Sequence, residues 1–316
     1  MVRAASVAIL QHNDCWLLSV ASQGVTMKHA ILGAGAVGGL VGAALASLGE
    51  DVTMIVRPEK LADYPGSLTL ERPSGPITGP AKAIGTLTEP VDVLWIATRT
   101  FQLQAALESV KTTPRMVVPL LNGVDHVAVL RARFGRDAVF PATIAVEAEC
   151  PAPGHFIQRS PGVRLNLTAG AEAQLGGIVA GLREIGFTCD FIANEQTLLW
   201  SKLCFLAPIA LVTSASGRNK GEVFADPEWK AKLTSAVAEA SAVAKASGAD
   251  IEVAKLHALF DSFPPTLRSS MAKDVAAKRP LELDGIAGPI VRGGQHYGIP
   301  VPATVELMKK VQSSSG

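Results

Sequence analysis

One lysine lies in a segment where its charge is costly. Lys202 is within a predicted helix at residues 195–211 that is apolar on nearly every side, and a helix of this kind is normally buried. Burial lowers the pKa of an ammonium group towards the working pH, which suits it to donate a proton. The alternative is a lysine whose flexible side chain reaches solvent and has no chemical role. The residues alone leave both interpretations open.

Three glycines with the spacing GxGxxG follow a predicted buried strand. Gly33, Gly35 and Gly38 come directly after the run at residues 28–32 and open a helix rich in alanine and glycine. In dinucleotide-binding folds the first glycine permits a tight turn, the second lets the backbone approach a pyrophosphate, and the third allows close helix–strand packing. The helix N-terminus then offers N–H groups to the phosphates. The motif predicts a dinucleotide site, with a glycine-rich turn without a ligand as the alternative.

The end of the second predicted strand indicates which dinucleotide binds. NAD enzymes usually place an acid about 20 residues after the motif to bind the ribose hydroxyls, whereas this strand ends in Arg57. A guanidinium group suits a 2′-phosphate through charge-assisted hydrogen bonds, and Lys60 could add a second charge. We therefore predict NADPH as the cofactor. A solvent-exposed arginine at the end of a strand is the alternative.

Two later loops also follow predicted strands. Ligands of doubly wound folds bind beyond the carboxyl ends of the strands. The loop at residues 97–100 contains Arg99, which we assign to cofactor binding, and the loop at residues 121–124 contains Asn122 and Gly123. We expect the Asn122 amide to face the nicotinamide or the substrate, with an ordinary Asn-Gly turn as the alternative.

The elements that hold these residues change character along the chain. Up to residue 193 strand-like runs alternate with helical segments, which indicates an α/β fold with a Rossmann-type, doubly wound parallel sheet. From Asn194 onwards the chain reads as helix after helix. We predict an NADPH-binding Rossmann domain at residues 27–193 and a helical substrate and catalytic domain at residues 194–316. The predicted strands lie at residues 28–32, 51–57, 67–71, 91–97, 115–121, 138–148 and 187–192, with further strand-like sequence at residues 155–169.

The first 26 residues fit neither domain. They contain two short apolar runs split by His12, Asn13 and Asp14, whereas a secretory signal needs one unbroken apolar stretch. We interpret this segment as a disordered extension or a start codon assigned too early, with Met27 as the functional start. A targeting peptide is the alternative.

Composition excludes several classes of function. The chain has 316 residues, of which 48% are hydrophobic and 18% charged, and its net charge is +1. A balance near neutrality argues against a nucleic-acid partner. The four cysteines form no CxxC pair and the histidines no metal-ligand spacing, so we expect no metal and favour a reducing cytoplasm. We predict no membrane-spanning stretch. The oligomeric state stays open, with a homodimer as the assembly to test.

From Met27 onwards the chain resembles the ketopantoate reductase family (2-dehydropantoate 2-reductases), which make pantoate for coenzyme A synthesis. The resemblance covers essentially everything after the first 26 residues. It rests on pieces that occur in the family's order: the glycine motif, Arg57, Leu121-Asn122-Gly123, Trp200-Ser201-Lys202-Leu203, Ser269-Ser270-Met271, Glu282-Leu283-Asp284, Gly288 and residues 298–302.

The resemblance implies a role for each matching residue. Lys202 would be the general acid that protonates the ketone oxygen as hydride arrives, and Glu282 its carboxylate partner. Ser270 would bind the substrate carboxylate, and Asn122 would lie between cofactor and substrate. A 2-oxo acid needs a donor where negative charge develops and polar groups for its carboxylate. We therefore expect reduction of 2-dehydropantoate to pantoate. The alternatives are an ordinary helix start for Ser270 and a plain surface acid for Glu282.

Four positions depart from the family's pattern. Two family asparagines, one and two turns after the lysine, are Leu206 and Ala210 here, the usual lysine after the fourth strand is Arg99, and a further asparagine matches Lys220. A site built on amide hydrogen bonds binds its substrate much more weakly when those amides are absent. Either the substrate differs, or binding relies on Ser270, Arg99 and Lys220, which we retain as substrate or cofactor contacts.

Two other functions therefore stay open. The first is a paralogue that reduces a more apolar 2-oxo acid or ketone, as Leu206 and Ala210 suggest. The second is a non-catalytic NADPH-binding or redox-sensing protein, which would leave the retained Lys202 and Glu282 without an explanation.

Overall fold

The computed structural model describes residues 26–314, so the segment at residues 1–26 lies almost entirely outside the described part of the chain. The strands are β1 (Lys28–Leu32), β2 (Asp51–Ile55), β3 (Ser67–Glu71), β4 (Ile77–Pro80), β5 (Lys82–Ile84), β6 (Val93–Ile96), β7 (Met116–Pro119), β8 (Ala142–Ala145), β9 (Ala148–Ala152), β10 (His155–Gln158), β11 (Val163–Thr168) and β12 (Phe187–Ile192). The helices are α1 (Ala36–Ser47), α2 (Leu103–Leu107), α3 (His126–Phe134), α4 (Glu172–Glu184), α5 (Glu195–Ser216), α6 (Lys220–Ala225), α7 (Pro227–Ala246), α8 (Val253–Ser262), α9 (Ser270–Ala276), α10 (Leu283–Tyr297) and α11 (Pro302–Ser313).

A five-stranded parallel sheet forms the centre of the first domain, in the order β5-β2-β1-β6-β7. β6 and β7 are apolar and buried along their whole length, as strands covered on both faces must be. β2 lies on one side of β1 and β6 lies on the other, so the direction in which strands are added reverses at β1. Ligands bind at such a reversal. The predicted Rossmann-type fold is confirmed.

Two further sheets depart from the simple alternation that the sequence predicted. The strand expected at residues 67–71 forms as β3, but it belongs to a mixed sheet of order β4-β3-β10-β9 rather than to the parallel sheet. The single strand expected at residues 138–148 is wrong: β8 pairs with β11 in a three-stranded sheet, and β9 pairs with β10. Two strands of different sheets follow each other closely here, and both are apolar at their junction.

Helix α1 lies between the parallel sheet and the mixed sheet, which explains its small residues. It packs against β1 and β2 on one side and against β3, β4, β9 and β10 on the other. A Cβ added at Gly39 would overlap the Phe156 ring, and one added at Gly42 would lie 2.9 Å from the sulfur of Met54. A helix buried on both sides in this way needs glycine and alanine at its contact points.

The helical domain is built around α5. This helix packs against α7, α9 and α11, and its apolar side chains form the centre of the second core. By length and composition alone α5 is able to cross a membrane, with a mean hydropathy of 1.6 over its apolar window. The prediction that no stretch would meet this criterion is therefore wrong. In the structure, 72% of that window is buried inside the protein.

Candidate active site

The three motif glycines lie in one tight turn. At two of the three positions a residue larger than glycine does not fit. Gly33 has φ +103°, and a Cβ there would lie 2.7 Å from the carbonyl carbon of Ala97. A Cβ at Gly38 would overlap the carbonyl oxygen of Gly33 and press on Ile31. At Gly35, in contrast, an added Cβ meets nothing within 4 Å among the described residues. The turn is therefore tight against the sheet and open on the outside.

The open side of this turn fits a dinucleotide. Gly35 is the N-cap of α1, where the described residues provide neither a side-chain cap nor an acidic residue in the first turn. The helix N-terminus thus presents N–H groups and positive dipole where a pyrophosphate would lie. After β2, the Arg57 side chain is 76% exposed and only loosely paired with Glu59, at 3.4 Å. These residues would hold the phosphates and the adenosine end of the cofactor.

A chain of three polar side chains joins the two domains beside this turn. The Lys202 amine of α5 donates to Oδ1 of Asn122 at 2.9 Å. Nδ2 of Asn122 in turn donates to Oε2 of Glu282 at 3.3 Å. The Asn122 amide is therefore oriented from both ends. Among the described residues, Glu282 meets Lys202 through Asn122 rather than in a direct ion pair.

The Glu282 carboxylate is buried and held by the loop that follows β6. Arg99 Nη1 donates to Oε2 of Glu282 at 2.6 Å, and the Thr100 backbone N–H donates to Oε1 at 3.0 Å. Nη2 of Arg99 lies 3.1 Å from Oδ2 of Asp274 on α9. Asp274 is also buried, and its other oxygen, Oδ1, forms an ion pair with Nη2 of Arg279 at 2.7 Å.

Close backbone contacts bring these groups together. β1 and β6 end in register, since Leu32 pairs with Ile96, and therefore the loops after β1, β6 and β7 meet at one edge of the sheet. The start of α10 enters between them. A Cβ at Gly123 would overlap the carbonyl oxygen of Gly285, and a Cβ at Gly285 would overlap Thr100. Pro289 lacks the N–H that would otherwise bond this carbonyl within the helix.

Burial sets the electrostatics of Lys202. The residue as a whole is partly exposed, but desolvation of its amine lowers its pKa to about 8, while the charge of Glu282 opposes the shift. On α3, His126 is buried close enough to feel the Lys202 charge, and burial lowers its pKa to about 4. His126 is therefore neutral at pH 7. The site combines an ammonium group with a pKa near neutrality and a fixed amide and carboxylate.

Comparisons with known proteins identify the family. Sequence profiles of the ketopantoate reductase PanE/ApbA family match residues 29–170, and those of its C-terminal domain match residues 194–313. A 2-dehydropantoate 2-reductase from Caulobacter vibrioides is 31% identical over 90% of this chain and 98% of its own length. The chain belongs to the ketopantoate reductase family. It is accordingly an oxidoreductase that acts with a nicotinamide cofactor.

Solved structures agree with this assignment. A PanE/ApbA family ketopantoate reductase from Ralstonia eutropha superposes with a TM-score of 0.80 at 28% identity, covering 92% of this chain and 98% of the other. A D-mandelate dehydrogenase solved with NADH and anilino(oxo)acetate has a TM-score of 0.80 at 22% identity over 92% of this chain and 98% of its own. At that identity the second likeness shows the fold alone.

Two residues that the ketopantoate reductase resemblance implied lie outside the contacts of this network. Ser270 is exposed at the first position of α9, while the preceding Ser269 is buried, caps the helix and bonds Thr213 at 3.0 Å. Lys220 is buried, and its amine donates to the Phe263 carbonyl at 2.6 Å. A lysine engaged in this way has a structural partner. Ser270 and Lys220 as substrate contacts stay predictions.

The two positions where the family has asparagine form an apolar continuation of the site. Leu206 lies one turn beyond Lys202 on the same face of α5 and is partly buried, whereas Ala210 is fully buried. Beside them, Phe205 stacks on Phe260 and Phe263, with ring centroids 4.6 and 4.9 Å apart. This side of α5 is lined by carbon rather than by amides.

Sequence reasoning missed Asp274, Arg279 and His126, which surround the predicted residues. The only local signal for His126 was its position one turn after Asn122, in a segment expected to be helical. Asp274 follows the Ser269-Ser270-Met271 piece by three residues, but nothing in its surroundings predicts that an acid there is buried. Arg99 was predicted as a cofactor contact, and the structure places its guanidinium against two carboxylates of the helical domain.

Proposed function

We propose that this protein reduces 2-dehydropantoate to pantoate with NADPH, with Lys202 as the proton donor. One observation carries the proposal: a desolvated lysine amine is fixed by Asn122, which Glu282 holds in turn, beside a glycine turn that is open for a dinucleotide. Proton donor and cofactor site thus lie at the same edge of the sheet. The sequence relatives that carry the name 2-dehydropantoate 2-reductase support the substrate.

The chemistry assigns separate tasks to cofactor and protein. Bound NADPH would supply a hydride to the carbonyl carbon of the 2-oxo acid. The carbonyl π electrons then move to the oxygen, where negative charge develops. The Lys202 ammonium, held by Asn122, donates its proton to that oxygen and becomes a neutral amine. Since its pKa of about 8 lies near neutral pH, the amine is recharged by solvent for the next turnover.

Arg57 supports NADPH over NADH. Its side chain is exposed at the end of β2, and its contact with Glu59, itself 61% exposed, is weak enough to be exchanged for a phosphate. Lys60 lies in the following turn, with its amine 3.6 Å from Asp63. Two cations at this edge of the sheet suit the doubly charged 2′-phosphate.

A specific observation also favours a second substrate class, a 2-oxo acid with a larger apolar group. Leu206 and Ala210 replace amides on the face of α5 that carries Lys202. The D-mandelate dehydrogenase of the same fold was solved with anilino(oxo)acetate, an oxo acid that carries an aromatic group. Loss of amide hydrogen bonds weakens binding of a hydroxylated substrate more than that of an apolar one.

Steady-state oxidation of NADPH with a panel of 2-oxo acids tests the proposal. The panel contains 2-dehydropantoate, 2-oxoisovalerate, 2-oxoisocaproate and phenylglyoxylate. The proposal expects the highest kcat/KM with 2-dehydropantoate, and the same reaction with NADH should be at least about tenfold less efficient. A higher kcat/KM with phenylglyoxylate would establish the apolar substrate class instead. Binding of NADPH without turnover of any member would contradict both enzymatic functions.

A further inference from the structure

We propose that Arg99 is a positioning residue that holds the Glu282 carboxylate away from the Lys202 amine. Glu282 then acts on Lys202 only through the Asn122 amide and does not pair with it directly. The inference rests on the proposed function, because it concerns the proton donor of that reaction.

Three donors fix the Glu282 carboxylate on the side that faces the first domain. Oε2 accepts from Arg99 at 2.6 Å and from Asn122 at 3.3 Å, and Oε1 accepts from the Thr100 backbone at 3.0 Å. The shortest contact is the charged one. Lys202 lies on the far side of Asn122, at 2.9 Å from Oδ1. The amide therefore separates the carboxylate from the amine.

Arg99 is itself anchored by a second buried acid. Its Nη2 lies 3.1 Å from Asp274, whose other oxygen pairs with Arg279 at 2.7 Å. Both carboxylates are 3% exposed, and removal of a partner from such a buried pair is strongly unfavourable. A planar guanidinium contacts two carboxylates with two different nitrogens, which a single lysine amine cannot reproduce. This geometry gives a reason for arginine at a position where the family usually has lysine.

The charges of this cluster balance, and they limit how strongly Glu282 opposes the effect of burial on Lys202. Arg99 and Arg279 match Asp274 and Glu282, so the positive charge of Lys202 stays available for a 2-oxo acid. The groups that face Lys202 are Glu282 at the start of α10, Asn122 after β7 and the neutral His126 of α3. Without Arg99, the buried Glu282 would retain its charge most easily by pairing with Lys202. An opposite charge at contact distance raises a lysine pKa by about 1–3 units.

The pH dependence of kcat/KM in Arg99→Gln tests the proposal. In the unaltered enzyme we expect kcat/KM to fall above a pH of about 8, where burial would let Lys202 lose its proton. In Arg99→Gln we expect the alkaline limb to move up by about one unit or more, with kcat at pH 7 lower by about tenfold. Arg99→Lys restores the charge but serves one carboxylate at a time, so its limb should lie between the two.

Arg292→Gln is the matched control. Arg292 also joins the two domains, through Asp125 at 2.6 Å, and it pairs with Asp284 of its own helix at 2.7 Å, but it does not touch Glu282. Arg292→Gln should leave the pH of the alkaline limb of kcat/KM unchanged. An unshifted limb in Arg99→Gln, or an equal shift in Arg292→Gln, would overturn the proposal. If Arg99→Gln does not fold, an Arg99→Lys limb that coincides with that of the unaltered enzyme overturns it.

A crystal structure of Arg99→Gln provides a readout that is independent of turnover. The proposal expects a Glu282 oxygen within ion-pair distance of the Lys202 amine and loss of the Lys202–Asn122 hydrogen bond. Glu282 unchanged at Asn122 and Thr100 would contradict it. If the unaltered enzyme turns over no 2-oxo acid, the proposed function fails, and this structure still decides whether Arg99 holds Glu282.

Discussion

At the scale of single residues, the amine of Lys202 makes the reaction sensitive to pH. Burial lowers its pKa from 10.5 to about 8, against the attraction of Glu282. A proton donor must be charged, so kcat/KM should be constant below a pH of about 8 and fall tenfold per unit above it. Initial rates between pH 6 and 10 check this. A limb near 10.5 would mean that the amine is solvated rather than buried.

Single residues were predictable where their own segment carried the signal. Lys202 stands out because an apolar helix surrounds it, and Glu282 and Asn122 followed from the family resemblance. Asp274 was not predictable, because its burial depends on Arg99, which lies 175 positions earlier in the sequence and reaches it from the other domain. The same long-range contact places the Arg99 guanidinium against the carboxylates of the helical domain, and its role in cofactor binding stays a prediction. No local pattern encodes such a pairing.

At the scale of elements, the turn from β1 into α1 separates folding from cofactor binding. Gly35→Ala adds a methyl group where nothing lies within 4 Å among the described residues, at φ −86°, which alanine tolerates. The melting temperature should be unchanged, while the KM for NADPH should rise about tenfold or more, because the methyl group occupies the approach of the pyrophosphate.

Gly38→Ala is the contrasting substitution in the same turn. Its methyl group overlaps the Gly33 carbonyl oxygen and presses on Ile31, and overpacking of this kind costs about 1–3 kcal/mol of stability. Thermal unfolding should show a clear decrease for Gly38→Ala and none for Gly35→Ala. The reverse order would contradict the geometry of the turn.

The elements themselves were predictable from hydrophobic patterns, but their sheet membership was not. The run at residues 67–71 was correctly predicted as a strand, yet β3 pairs with β4 and β10 instead of joining the parallel sheet. Alternation of apolar residues identifies a strand but does not determine with which other strands it pairs. The hydrophobic pattern also favours a helix over residues 101–110, but only the short α2 forms there, after a 3-10 turn. Its apolar residues Leu103 and Leu107 pack into the core formed with the central strands β1, β6 and β7.

At the scale of the whole molecule, the site exists only where the two domains meet. Asn122, Arg99 and the glycine turn come from the first domain, and Lys202, Asp274 and Glu282 from the second. Arg131 of α3 and Glu195 of α5 bridge the same boundary with two hydrogen bonds of 2.8 and 2.7 Å. Separate hydrophobic cores lie on either side of residue 193, and the domain boundary near that residue stays a prediction.

Stability of the whole molecule should decrease in mild acid because of two buried histidines, His29 and His126, of which His29 has the clearer contact. Trp95 Nε1 donates to Nδ1 of His29 at 3.1 Å, which requires a neutral ring, and burial lowers the His29 pKa to about 4. Below pH 6.5 His29 binds a proton in the unfolded chain, whereas in the folded protein it stays neutral until the pH approaches 4. The stabilisation is thus lost as pH falls from 6.5 to 4, by up to about 3 kcal/mol.

Urea unfolding of His29→Gln between pH 7 and 4 measures this loss. The variant should lose less of its free energy of unfolding over that range than the unaltered protein. His257→Gln, at an exposed histidine, is the control and should follow the unaltered protein. Equal pH dependence in all three proteins would show that His29 is not the titrating group.

The most direct test of the central claim compares the Lys202→Ala variant with the unaltered enzyme in the oxidation of NADPH by 2-dehydropantoate. Loss of a positioned proton donor should lower kcat by about 10²–10⁴-fold. The Kd for NADPH, measured by fluorescence titration, should stay within about threefold, since Lys202 contacts Asn122 and not the glycine turn. A kcat that is unchanged in Lys202→Ala would contradict the account, because the amine would then have no part in the reaction.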